Sequence, residues 1–360
     1  MPDLTIPSRA DGALGTSPPL SRPGGPADAP PLATAPPLFI VANAGSGRQD
    51  SAALAEALAA RLGPPGEGRR HQLLLAEAGA SLPGLAAEAV RRARASGGVV
   101  VAAGGDGTIN AVAQQVLGQG VAFGVLPRGT FNYFARSQGV PVDLAEGIDT
   151  LAQERPALRR VQAGCVNGRV FLVNASIGLY PRLLEEREMW KQRLGRSRLV
   201  AAFAALVSLW REHRPYALGI ESEALARPAL TLRASTLIVG NNPLQLARLG
   251  LPEAEAVVDG ELAAFALPPL GPPGLMRVLL DGALGRLAES DDVTRFAFRR
   301  MTVHAGRRRA RRGVKLALDG EIVKLHPPLL FGVAPAVLHL VVPPHLAGVR
   351  DATLDSEATA

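Results

Sequence analysis

Gly104-Gly105-Asp106-Gly107-Thr108 brings together residue types suited to holding a phosphate chain beside a cation. The five residues follow the apolar run Gly98 to Ala103, which reads as a buried parallel strand. They precede Ile109, Val112, Ala113 and Val116, which share one face at helical spacing. A glycine-rich turn between strand and helix can set backbone N–H groups against an anion at the helix N-terminus. Phosphate repels a carboxylate, so Asp106 fits such a turn when a cation lies between them. A nucleoside triphosphate with Mg²⁺ is the simplest ligand meeting both conditions. Taken alone, the five residues also read as a tight Asp-Gly turn after a strand.

Two other polar turns fall at the ends of expected strands. Asn43-Ala44-Gly45-Ser46-Gly47 follows Leu38 to Ala42, and Pro127-Arg128-Gly129-Thr130-Phe131-Asn132 follows Val121 to Leu126. Between them, helices are expected over Ser51 to Leu62 and Leu85 to Ala95, with a further strand over His71 to Ala76. Strand–helix alternation with short connections predicts a parallel sheet covered on both faces, with ligands bound beyond the carboxyl ends of its strands. All three polar turns lie at those ends.

After about Val142 the pattern changes. Val161 to Val166 and Arg169 to Asn174 flank the hairpin turn Asn167-Gly168. Short β-like runs recur at Leu230 to Gly240, Glu261 to Ala266, Met301 to His304, Val314 to Leu318, Glu321 to Leu325 and Val337 to Val342. The predicted fold is α/β. A doubly wound, parallel-sheet nucleotide domain over 38–142 precedes a β-rich, sandwich-like domain over 143–345, which carries a helical insertion near 183–212. Residues 1–37, rich in Pro, Ala and Gly, are expected to form a disordered tail, and 346–360 a second tail.

Composition narrows the functional classes. A chain of 360 residues that is 47% hydrophobic can build two ordinary cores. The single cysteine, Cys165, excludes an intramolecular disulfide and fits a reducing, cytoplasmic setting. The six histidines form no zinc-type spacing. Net charge is +7 but local: Arg182 to Arg214 carries +4 and Arg299 to Lys315 carries +8. Such patches meet anions. Aromatics at 4% leave few platforms for stacking bases, which argues against nucleic acid. No apolar run is long enough to span a bilayer. Leu199 to Trp210, preceded by Trp190, Lys191, Arg193, Arg196 and Arg198, suits either an interfacial lid on an anionic membrane or a helix packed on the second domain. Arg307 to Arg312 reads as a patch attracting lipid headgroups or nucleic acid, or equally as a solvated hairpin loop.

The three turns, in this order, resemble the diacylglycerol kinase catalytic family, which includes bacterial lipid kinases and sphingosine and ceramide kinases and is distantly related to NAD kinases. Gly104 to Asn110 is similar to the superfamily's nucleotide loop. Leu126 to Asn132 resembles an element of the lipid kinases that NAD kinases lack. Asn43 to Gly47 resembles the first loop, with Ala44 in place of proline. Leu318-Asp319-Gly320-Glu321 looks like the C-terminal catalytic element, and Asp259-Gly260 sits where relatives often carry a structural Mg²⁺ site. Two positions depart from the pattern: Ala111 stands where relatives often have Glu, and Tyr133 where they often have Asp.

The resemblance implies an ATP- and Mg²⁺-dependent lipid kinase, peripheral on the cytoplasmic membrane surface, with diacylglycerol or a related lipid alcohol as acceptor. The alternatives are a non-catalytic nucleotide or lipid sensor and an NAD kinase-like activity. Phosphoryl transfer requires phosphates held in place, charge neutralised and an acceptor hydroxyl deprotonated. The nucleotide is assigned to Asn43, Gly45, Ser46, Gly47, Gly104, Gly105, Asp106, Gly107, Thr108 and Asn110, with Gly129, Thr130 and Asn132 beside them. Metal ligation is assigned to Asp106 and Asp259, the latter equally readable as a turn residue. Asp319 is the candidate general base, with Glu321 as partner or rival; Asp319-Gly320 alone also reads as a hairpin turn.

Overall fold

The computed structural model describes residues 30–43, 48–64, 71–76, 80–178, 215–225, 229–290, 293–306 and 311–347. The first loop's Ala44 to Gly47, the expected helical insertion near 183–212 and Arg307 to Ala310 lie outside the described residues.

Four parallel strands form the first sheet in the order β2 (His71–Ala76), β1 (Leu38–Asn43), β3 (Val99–Gly104), β4 (Ala122–Pro127). The central strands are apolar throughout because helices cover both faces. On one side, α2 (Leu82–Ser96) and α3 (Asp106–Val116) bury Ala89, Ala93, Ile109 and Val112 against Val41, Val100 and Ala102. On the other, α1 (Arg48–Leu62) and α5 (Leu144–Leu151) bury Leu54, Leu58 and Ile148 against Ile40, Val99 and Val101. Local chemistry sets the limits of α2. The Ser81 hydroxyl accepts the Gly84 N–H, and Gly97 ends the helix in the left-handed conformation.

Two strands from the β-rich half complete this sheet. β18 (Leu338–Val342) runs parallel to β4, and β5 (Ala157–Val161) lies antiparallel outside it. Val161 and, from the expected run Val337 to Val342, the residues Leu338 to Val342 therefore belong to the first sheet rather than the second domain. Their alternate residues Leu338, Leu340 and Val342 fill its α2–α3 core. The expected tail also ends earlier than Pro37. Ala33 N–H donates to Gly97 O and Ala35 N–H to Glu154 O, so residues 30–37 lie along the domain.

The rest of the described chain forms two six-stranded, largely antiparallel sheets that share a core. One runs β10 (Ala229–Ala234), β9 (Tyr216–Ser222), β14 (Arg300–Ala305), β17 (Leu329–Val333), β6 (Gly164–Val166), β7 (Arg169–Phe171). The other runs β13 (Thr294–Phe298), β12 (Leu262–Leu267), β11 (Thr236–Gly240), β8 (Asn174–Gly178), β15 (Val314–Leu318), β16 (Glu321–Leu325). Phe171, Ile220 and Phe331 from the first interleave with Ile177, Val239 and Leu316 from the second, as in a β-sandwich. The expected Asn167-Gly168 hairpin joins β6 to β7, with both turn residues at positive φ. The single run expected over Leu230 to Gly240 instead breaks at Ser235 and switches sheets. Gly178 faces that corner, where a side chain would fall on the Ser235 carbonyl.

Candidate active site

β3 and β4 pair in register through Gly104 and Pro127, so their turns emerge at the same height. The turns touch. A Cβ on Gly129 would lie 2.8 Å from the Gly105 Cα, and Arg128 N–H donates to Gly104 O at 2.9 Å. Gly104 is equally constrained, since its Cβ would come within 2.6 Å of the Thr108 side chain. Asn132 holds the second turn closed from the left-handed region, φ 51°. Its Oδ1 accepts the Gly129 N–H and its Nδ2 donates to Gly129 O, so its amide shapes the loop. Thr130 and Phe131 stand exposed at the rim, and the Phe131 ring stacks on Tyr133 at 5.6 Å.

Asp106 opens α3, three residues before the expected start of that helix. Gly105 precedes it as a cap residue with no side chain to occupy the first-turn N–H groups. The Asp106 carboxylate reaches the N-terminus of α4 (Tyr133–Ser137), accepting Tyr133 N–H at 3.4 Å and Phe134 N–H at 3.3 Å. Burial raises its pKa, and these backbone donors pull the other way. One carboxylate thus joins the ends of both turns.

The second domain closes on this corner through the β15–β16 turn. Asp319, at φ 48°, and Gly320, at φ 92°, make the tight hairpin that their types predict. Asp319 also turns its carboxylate inward. Oδ1 accepts Val173 N–H at 2.8 Å and Asn174 N–H at 2.9 Å; Oδ2 accepts Leu172 N–H and the Asn110 amide, both at 2.7 Å. Four donors use the carboxylate's ordinary capacity. Burial pushes its pKa up to about 6 against the pull of those bonds. Asn110, expected at the nucleotide, ties α3 to this network and also donates to Val170 O at 2.9 Å.

Glu321 follows a different path. A Cβ on Gly107 would lie 2.7 Å from Glu321 Oε1, so this carboxylate rests directly on the glycine-rich turn. Asp106, Gly107, Gly129 and Glu321 therefore form one corner, with Asp319 and Asn110 behind it. Asp259 lies apart from them. It is exposed at the end of α7 (Glu253–Val258), where Gly260 at φ 88° and the Glu261 N–H to Ala256 O bond close the helix. Among the described residues no group of three His, Cys, Asp or Glu side chains is placed to hold a metal. Asn43 ends β1; Gly45, Ser46 and Gly47 lie outside the described residues.

Sequence reading missed a set of amides behind the corner. Asn241 Nδ2 donates to Leu172 O and its N–H to Val173 O, bracing the segment that grips Asp319. Asn242 caps α6 (Pro243–Arg248) and donates to Tyr133 O and Ser137 Oγ, fastening α4 to the second domain. The Asn-Asn-Pro run is a legible helix start, but its cross-domain partners are more than a hundred residues away.

A parallel-sheet domain with strand-end glycine turns, closed by an antiparallel sandwich, defines a two-domain α/β class. A structure of a diacylglycerol kinase from Bacillus anthracis has this fold: it aligns with 87% of this chain and 98% of its own at a TM-score of 0.58 and 16% identity. Residues 37–164 match the diacylglycerol kinase catalytic domain. The probable lipid kinase YegS-like of Pseudomonas syringae pv. syringae is 29% identical over 250 residues, covering 68% of this chain and 75% of its own. The diacylglycerol kinase of Bacillus subtilis is 40% identical over 77 residues, 21% of this chain and 25% of that protein. An uncharacterized Synechocystis protein is matched over only 31% of its length, and the YegS-like protein of Pseudomonas aeruginosa over 30%. Over residues 37–164 the chain is thus similar to the diacylglycerol kinase catalytic-domain family.

Proposed function

We propose that this protein is an ATP- and Mg²⁺-dependent lipid kinase that phosphorylates the hydroxyl of diacylglycerol or a related lipid alcohol. The observation carrying the reading is the contact of Glu321 with Gly107: an acid from one domain stands over the turn where the other domain would hold phosphate.

The corner fits the ligands the reaction needs. Gly105 opens an eleven-residue helix with no side-chain cap, which leaves first-turn N–H groups available to a phosphate. Asp106 and Glu321 supply two carboxylates, the number with which Mg²⁺ commonly binds alongside substrate phosphates and water. Bound there, Mg²⁺ would neutralise charge on the transferring phosphoryl group.

Glu321 takes the acceptor proton in this reading. The acceptor oxygen bonds to the γ-phosphorus, the bond to the bridging oxygen breaks, and ADP leaves. Asp319 serves as a positioning residue, because its four donors leave it no ready site for a substrate hydroxyl. It fixes the turn from which Glu321 projects. Asn43 to Gly47 is assigned to the nucleotide on its sequence alone, and the cytoplasmic membrane surface is the proposed place of action. Among the described residues no helix is long and apolar enough to cross a membrane.

Transfer of labelled γ-phosphate to a total lipid extract tests the assignment. A labelled lipid made by wild type and lost in Glu321→Gln and Asp106→Asn is the expected outcome. ATP binding without labelled lipid would leave a nucleotide sensor in its place.

A further inference from the structure

Gly107, Asn110 and Gln114 follow one another at spacings of three and four residues, so they lie in one row along α3. The other side of the helix, Ile109, Val112, Ala113 and Val116, is buried in the first domain. Each member of the polar row meets the second domain. The Glu321 carboxylate rests on Gly107, and the Asn110 amide donates to Asp319 Oδ2 at 2.7 Å and to Val170 O at 2.9 Å. Gln114 makes the remaining contacts. Its Oε1 accepts Val170 N–H at 2.7 Å, and its Nε2 donates to Gly168 O at 3.3 Å.

These bonds stand where a further strand would pair. Among the described residues β7 is the outermost strand of its sheet, and Val170 at its centre turns both N–H and C=O to α3. Two side-chain amides, one helical turn apart, satisfy both groups as a neighbouring backbone would. The chain they hold runs directly into Leu172, Val173 and Asn174, whose N–H groups grip Asp319. Gln114 thus anchors the near end of the segment that fixes the β15–β16 turn. The same helix carries Asp106 and Gly107 in its first turn, about 10 Å away along the axis.

We propose that Gln114 is a positioning residue that sets the spacing between the glycine-rich turn and Glu321. Without its clasp the β7 edge, and with it the turn bearing Asp319 and Glu321, shifts against Gly107. A displacement of about 1 Å can cost a reaction about a hundredfold in rate. The effect on phosphoryl transfer rests on the lipid-kinase reading; the brace itself does not.

Gln114→Met keeps the side chain's length and helix propensity and removes both hydrogen bonds. With detergent-dispersed lipid, its kcat should fall about tenfold while the KM for ATP stays within about twofold of wild type. In a Glu321→Gln background the same substitution should change kcat by less than about twofold, because the group it positions is already gone. An unchanged kcat, or an equal loss in both backgrounds, overturns the proposal and leaves Gln114 as a cap on a sheet edge. Amide hydrogen exchange, measured without ATP or lipid, reads the brace directly. Exchange at Leu172, Val173 and Asn174 should quicken about tenfold in Gln114→Met, with Val112 and Ala113 in the helix unchanged. Exchange at those three residues that matches wild type overturns the brace. If wild type labels no lipid and exchange still quickens in the variant, the kinase reading falls and the brace stands.

Discussion

The Glu321 carboxylate occupies the space that a side chain on Gly107 would take, with Oε1 2.7 Å from the position of the missing Cβ. Gly107 lies in the first turn of α3 with ordinary helical backbone, so alanine there suits the helix and gains up to about 1 kcal/mol of propensity. Gly107→Ala should therefore keep or raise the melting temperature while displacing Glu321. Lipid phosphorylation should fall roughly a hundredfold, as in Glu321→Gln, with nucleotide affinity retained in the latter. Equal loss of stability and activity in Gly107→Ala would mean that the glycine serves the fold alone.

Asp319 links the same corner to pH. Its folded pKa, about 6, lies above the ordinary carboxylate value, so the fold favours its neutral form. That contribution to stability is fully present below about pH 4 and is lost as pH rises through 6; by linkage it is worth on the order of 2–3 kcal/mol. Denaturant titrations at pH 4.5 and 6.5 should show this decline in wild type and not in Asp319→Asn. The variant should be less stable at pH 7 by about 1–3 kcal/mol, because the new amide donor opposes backbone N–H groups. Activity moves in the opposite direction. The ionised carboxylate grips Leu172, Val173 and Asn174, so kcat/KM should fall below about pH 6 in wild type. A stability curve that is flat across this range in wild type would contradict the buried, raised pKa.

Gly129 is less forgiving than Gly107. Its absent Cβ would meet backbone, the Gly105 Cα at 2.8 Å, where no side-chain rotation relieves the clash. Gly129→Ala should part the two turns, lowering stability by about 1–3 kcal/mol and raising the Kd for ATP more than tenfold. Gly120→Ala, which has nothing within 4 Å but sits at φ 64°, is the control for backbone strain without a clash. Calorimetric titration of both variants separates the two causes.

The turns were legible in the sequence because their signals are local. Gly104 to Thr108 is a strand end, a turn and a helix start within ten residues, and Asn167-Gly168 and Asp319-Gly320 are hairpins by residue type alone. What they do once folded was not legible. The Asn110 amide meets Asp319 across 209 positions, a pairing created by domain closure. Neither residue type nor spacing separates an Asp that faces substrate from one that staples a loop. The placement of β18 in the first sheet was hidden for a related reason. Leu338-His-Leu-Val-Val342 is apolar enough for either sheet, and its position depends on β4 offering an open edge.

The Phe131–Tyr133 stack offers a last test, because it replaces charge with hydrocarbon beside the corner. Tyr133 stands where the resemblance expects an acid, and its backbone N–H still serves Asp106. Phe131 is 52% exposed, and its loop neighbour Tyr133 is fastened to the second domain through Asn242, the side from which an acceptor would approach. An exposed Phe131 ring stacked on the half-buried Tyr133 suits the apolar chain of a lipid better than a phosphate. Phe131→Ala should raise the KM for a long-chain acceptor several-fold and have less effect on a short-chain, water-soluble one, with the KM for ATP unchanged. Because the ring is half in solvent, stability should move by less than about 1 kcal/mol. If instead the KM for ATP rises and acceptor chain length makes no difference, the stack serves the nucleotide base, and the acceptor enters elsewhere.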